Sequence, residues 1–198
     1  MLIPTEKVIP KQIQKKKNKT AILLIDMQDC YLGEEDVDHQ EISKMIQRHI
    51  EILKYAQSNN LPIYVLEYGS TYKDPEYCRV CESFGQTTKL LQKVLNEGDY
   101  TLIIKNRHSG FDITGLDSFL KNDEISELVL MGVYASVCVL ATGQDAVQKN
   151  YKIITSPEII EDNKHWKENE SIDWYNKNGL VFNDYLDLIN YLKKTKEN

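Results

Sequence analysis

The sequence predicts an α/β protein of three layers, a six-stranded parallel sheet with helices on both faces. Two observations carry this. Short apolar runs alternate along the chain with segments of helical periodicity, and the strongest runs, such as TAILLID at 20–26, are apolar on both faces of the strand. Strands buried on both faces read this way, and strand–helix alternation means right-handed crossovers between parallel strands.

Taken in order, residues 1–18 read as an extended arm. Pro4 and Pro10 disfavour helix, and Leu2, Ile3, Val8 and Ile9 offer apolar contacts to the domain or to a neighbouring subunit. The domain occupies 19–198. After the strand at 20–26, Ile42, Met45, Ile46, His49, Ile50, Leu53 and Ala56 recur at helical spacing over 40–59. Pro62 leads into the strand IYVLEY, followed by the long polar connection GSTYKDPEYCRVCESFG. A helix follows over 87–96, then a strand over 100–105 that ends in Lys105. Next comes a helix over 114–121 with Leu116, Phe119 and Leu120 inward. The fourth strand starts at Leu128 and is broken by Gly132, and the pattern turns helical from Cys138 to Gln148. A fifth strand at 151–155, a polar helix at 166–178, a short sixth strand at 180–182 and a helix from Tyr185 to Leu192 complete the chain.

Composition narrows the function classes. The 198 residues are 41% hydrophobic and carry a net charge of −6, which suits a soluble globular domain and argues against a general nucleic-acid or membrane-surface binder. No apolar stretch is long enough to span a bilayer, and the charged, proline-containing N-terminus does not read as a secretory leader. The expectation is a cytoplasmic protein with its four cysteines reduced.

In open parallel sheets ligands bind outside the carboxyl ends of the strands. Asp26, Lys105 and Cys138 fall at three such ends, so a carboxylate, an ammonium and a thiol are expected on one edge. A cysteine opening a helix is expected to have a lowered pKa, helped here by Lys105. Asp26 would take the thiol proton and later return it to a leaving amine. Each residue alone also fits a structural role: a buried core cysteine, a loop-capping carboxylate, a solvated strand end.

Three segments are recognisable: AILLIDMQ with Asp26, KNRHSGFDITGL with Lys105, and MGVYASVCVLATGQDA with Cys138. With them the chain resembles the isochorismatase-like cysteine hydrolase family, which includes nicotinamidases, carbamoyl-amide hydrolases and isochorismatases. The resemblance runs from about Thr20 to the C-terminal helix. It implies a Rossmann-like six-stranded fold, a catalytic triad of Asp26, Lys105 and Cys138, and a non-proline cis peptide between Val133 and Tyr134. It also implies an oxyanion hole from the amides of Tyr134 and Cys138, and assembly into homo-oligomers, dimers or tetramers. The reaction implied is cleavage of a C–N bond in a small amide or carbamoyl compound through a thioester. Vinyl-ether hydrolysis of the isochorismate type, and a non-catalytic binding protein on the same fold, are the alternatives.

Tyr31 is expected to wall the pocket, and Arg107 with His108 to meet a substrate carboxylate. The position of Tyr134 is often small in the family. The Asp-x-His metal motif of nicotinamidases is replaced by Glu67, Tyr68 and Gly69, so neither a metal nor a cofactor is expected. Cys78 and Cys81 form a CxxC without further ligands at zinc spacing. Trp166, Trp174 and Tyr175 are candidates for a lid, a subunit contact or core packing.

Overall fold

The computed structural model describes residues 19–33, 38–69, 86–162 and 168–197. The arm over 1–18, Cys78, Cys81 and Trp166 lie outside the described residues.

The sheet is built from β1 (Thr20–Ile25), β2 (Ile63–Tyr68), β3 (Thr101–Lys105), β4 (Glu127–Val133), β5 (Lys152–Thr155), β6 (Ile160–Glu161) and β7 (Leu180–Val181). Between and beyond them run α1 (Asp29–Leu32), α2 (His39–Ser58), α3 (Lys89–Leu95), α4 (Leu116–Asn122), α5 (Cys138–Gln148), α6 (Glu168–Asn178) and α7 (Tyr185–Glu197). The spatial order is β3-β2-β1-β4-β5-β7, with β6 paired to the end of β4, and every strand pairing is parallel. The observed sheet therefore has seven strands where the sequence predicts six. The added strand β6 is two residues long, too short to show any periodicity.

Every residue of β1 and β4 is buried, as expected of central strands whose interiors are almost wholly apolar. Ile25 faces Gly132 in register, and a Cβ built on Gly132 would meet the Ile25 carbonyl oxygen at 2.0 Å. Gly132 also has φ +131, so the two central strands approach this closely only because no side chain intervenes.

Helix α2 starts where Asp38 accepts from the amides of Gln40 and Glu41, a side-chain cap typically worth about 1 kcal/mol. Its buried face is Ile42, Met45, Ile46, His49, Ile52, Leu53 and Ala56. Each fully buried Ile or Leu there contributes about 1.5–3 kcal/mol. One predicted core residue is corrected: Phe119 is 46% exposed, because the short helix α4 buries only Leu116 and Leu120. Tyr175, by contrast, is core, fully buried on α6. Among the described residues no helix is long and apolar enough to cross a membrane.

From β1 the chain moves outward through β2 to β3, then crosses to β4 and moves the other way through β5 to β7. Right-handed crossovers in opposite directions leave a crevice between β1 and β4, at their carboxyl ends. Asp26 follows β1 and Cys138 follows β4.

Candidate active site

Asp26 is placed by an unusual backbone. It has φ 52, in the left-handed region that Asp tolerates better than most residues, while its amide still donates to the Leu66 carbonyl at 2.9 Å. The turn is locked by Gln28, which is fully buried. Its side-chain amide nitrogen donates to the Tyr68 carbonyl at 3.1 Å, and its side-chain oxygen accepts from the Tyr68 amide at 2.7 Å. Gln28 thus acts as a stand-in strand residue at the end of β2.

Lys105 starts two strands away, on edge strand β3, about 10 Å from β1 at ordinary strand spacing. The length of a lysine side chain is what spans that gap. Its Nζ reaches 2.7 Å from Asp26 Oδ2, with both side chains at most 1% exposed. The ammonium also donates to the Arg107 carbonyl at 3.2 Å and lies 5.0 Å from the centre of the Tyr68 ring. The ion pair is close, yet among the described residues neither Asp26 oxygen has a hydrogen-bond partner of good geometry.

Cys138 opens α5 and is 8% exposed. Its thiol interacts with both Asp26 and Lys105. Burial dominates both ionisations. It raises the Asp26 carboxyl above its ordinary value, against the pull of Lys105. It pushes the Cys138 thiol up as well, with the Asp26 charge adding to burial and Lys105 opposing it. The expectation of a thiol lowered by the helix terminus and the lysine is therefore corrected: desolvation and the neighbouring carboxylate outweigh both. Cys138 therefore rests as a neutral thiol beside the Asp26 carboxyl.

The loop joining β4 to α5 is braced on every side. The Val133–Tyr134 peptide is cis. The Tyr134 carbonyl accepts from the amides of Val137 and Val139 at 3.0 and 3.2 Å, and Ala135 donates to the Glu161 carbonyl at 2.9 Å. Ser136 donates from its amide and hydroxyl to Asp162 Oδ1 at 2.9 and 3.0 Å, and the Tyr175 hydroxyl donates to the Ala135 carbonyl at 2.7 Å. The Cys138 amide, first in its helix, has no intrahelical acceptor.

The predicted substrate-binding residues are placed unequally. Tyr31 and Tyr134 meet edge to face at 5.8 Å, and the Tyr134 hydroxyl donates to the Tyr31 carbonyl at 3.1 Å. The tyrosine at 134 therefore packs with Tyr31 into one aromatic wall. Burial and the nearby Asp26 charge push the Tyr31 phenol up, which keeps it neutral. Arg107 is exposed and enters the site through its carbonyl. His108 is also exposed, and its Nδ1 lies 3.8 Å from Cys138 Sγ.

Gln28, Ser109 and Asp162, none of them singled out from the sequence, hold this arrangement together with Tyr68 and Tyr175. One signal pointed to part of it. Cys138, Thr142 and Asp145 share one face of α5 by their spacing, and Thr142 is buried. Among the described residues no group of three His, Cys, Asp or Glu side chains is placed to hold a metal ion. Glu67, where nicotinamidases carry a ligand, instead accepts from the Thr87 amide and hydroxyl at 2.7 and 2.8 Å.

The comparisons with known proteins agree with this fold. The isochorismatase domain model matches residues 20–164. Enterobactin synthase component B of Escherichia coli (strain K12) is 23% identical over 141 residues, 68% of this chain and 50% of the relative, so the chain spans half that protein's length. A probable inactive nicotinamidase of Arabidopsis thaliana is 30% identical over 150 residues, 69% of this chain and 76% of the relative. Among solved structures, an isochorismatase-like hydrolase from Alkaliphilus metalliredigens aligns with TM-score 0.71 at 25% identity, covering 88% of this chain and 99% of that one. A family match that runs from β1 through β6 and takes in Asp26, Lys105 and Cys138 leaves one assignment: the chain belongs to the isochorismatase family of hydrolases.

Proposed function

We propose that this protein is a cysteine hydrolase that cleaves a C–N bond of a small amide or carbamoyl compound through a thioester on Cys138. The observation that carries the reading is the meeting of Asp26, Lys105 and Cys138 from three separate elements, with Lys105 Nζ 2.7 Å from Asp26. A neutral thiol needs a base, and the Asp26 carboxyl, raised by burial, is a stronger proton acceptor than an ordinary carboxylate. As Sγ bonds to the substrate carbonyl carbon, the thiol proton passes to Asp26. Lys105, 2.7 Å from Asp26, compensates the charge that moves between carboxylate and thiolate. The amides of Cys138 and Tyr134 receive the developing oxyanion, each such donor being worth about 2.7–4 kcal/mol. Asp26 then gives its proton to the leaving nitrogen, ammonia or an amine departs, and water hydrolyses the thioester. Tyr31 and Tyr134 wall the substrate, and the exposed Arg107 meets a carboxylate at its outer end. None of these steps calls for a metal or cofactor.

The retained cysteine favours this over vinyl-ether hydrolysis, where a thioester has no place. A small-molecule substrate, a cytoplasmic setting for reduced thiols and assembly into a dimer or tetramer complete the reading. The test is ammonia release from a panel of small amides and carbamoyl compounds. Activity is expected to fall by roughly 10³-fold or more in Cys138→Ala. Turnover indifferent to that substitution overturns the reading, and pyruvate release in a coupled assay would substitute the vinyl-ether chemistry.

A further inference from the structure

His108 is held against the nucleophile by its neighbours on both sides. On one side Lys105 donates to the Arg107 carbonyl at 3.2 Å. On the other, the Ser109 hydroxyl donates to Asp145 Oδ2 at 2.5 Å, and the Gly110 amide donates to Thr142 Oγ1 at 2.9 Å. Thr142 Oγ1 in turn donates to the Cys138 carbonyl at 2.7 Å. Asp145, Thr142 and Cys138 all belong to α5. The loop carrying His108 is therefore fastened to the nucleophile's own helix, and this sets Nδ1 3.8 Å from Sγ.

We infer that His108 is a second catalytic base, the one that activates water for hydrolysis of the Cys138 thioester. The inference rests on the cysteine-hydrolase reading above and assigns its last step. Asp26 is 1% exposed, whereas His108 is exposed. Water reaches a thioester from the open side. An acyl carbon bonded to Sγ lies within the reach of one water from Nδ1. In the step, a water O–H bond breaks with its proton moving to Nδ1, and the water oxygen bonds to the acyl carbon. The C–S bond then breaks, and the departing sulfur recovers a proton from the imidazolium. The acid is released, and the imidazole ends as it began. The site thus divides its labour: Asp26 serves acylation, His108 deacylation.

The experiment uses p-nitrophenyl acetate as an acylating probe on the full chain. Stopped-flow absorbance records the burst of nitrophenol and the steady state that follows, and mass spectrometry locates the acetyl group. In His108→Ala the burst is expected to stay within about twofold of wild type, while steady-state turnover falls roughly 10²-fold or more. Acetyl-Cys138 should accumulate, and added imidazole should raise the turnover of His108→Ala but not of wild type. His108→Gln should repeat the split, since glutamine keeps a polar side chain on the loop but no base. Unchanged steady-state turnover in both variants, or burst and steady state falling together, overturns the role of His108. A wild-type protein that shows no burst, and no acetyl group on Cys138, removes the underlying hydrolase reading instead.

Discussion

Two buried carboxylates sit at opposite ends of the central strands, Glu127 at the start of β4 and Asp26 just past the end of β1, each 1% exposed. They are treated in opposite ways. Glu127 accepts from the Thr20 hydroxyl at 3.1 Å and from Lys152 Nζ at 3.0 Å. The Tyr191 hydroxyl adds contacts at 3.0 and 3.1 Å to its two oxygens. Asp26 has the Lys105 ion pair and no hydrogen bond of good geometry. Glu127, saturated with donors, serves as a joint between β1, β4, β5 and α7. Asp26, under-satisfied and raised by burial, is ready to accept a proton. The same chemical group is a fastener at one end of the sheet and a candidate base at the other, and the number of donors around it decides which.

Lys105→Met breaks the comparison most severely, because it leaves Asp26 buried with no countercharge. The expected loss is roughly 3–5 kcal/mol of stability at neutral pH by urea unfolding. The sign with pH follows from the raised carboxyl. Its favourable contribution is complete below the ordinary value of 3.8 and is lost as pH rises through the raised one. The deficit of Lys105→Met should therefore shrink as the solution is acidified, and a deficit that grows in acid would reverse the assignment.

His49 extends the comparison to a buried base. It is fully buried on α2, and its Nε2 donates to the Ile159 carbonyl at 2.8 Å, while Nδ1 has no partner among the described residues. Burial lowers its pKa from 6.5 to about 4. A depressed value means that stability is complete above 6.5 and is lost as pH falls towards 4, by roughly 3 kcal/mol in all. Unfolding curves across that range should show the slope in wild type and a flatter profile in His49→Gln. Equal slopes would place the acid sensitivity elsewhere. The smallest effect belongs to Glu127→Gln. Because Lys152 is 45% exposed it can return to water, so the cost is set at about 1–3 kcal/mol. Ammonia release should be unaffected.

Much of the fold was legible because the central strands are apolar on both faces, and a run such as Ala21 to Ile25 admits few other readings. Asp26, Lys105 and Cys138 were legible as a group because parallel strands end on one edge. What was not legible depends on tertiary environment. The direction of the Cys138 ionisation is set by burial and by a carboxylate from a distant strand, neither visible in a helix-start pattern. The clamp of Gln28 on Tyr68 joins residues with no periodic relation, and β6 is only two residues long. Phe119 was misplaced because a helical stripe extended over too short a helix overstates its buried face.

The central claim is that Asp26, and not merely a buried carboxylate, exchanges the proton with Cys138. Ammonia release from the best amide of the panel, compared between Asp26→Asn and Glu127→Gln, tests it most directly. The account predicts a loss of roughly 10²–10⁴-fold for the first and wild-type turnover for the second. An Asp26→Asn protein that still turns over at the wild-type rate would contradict it.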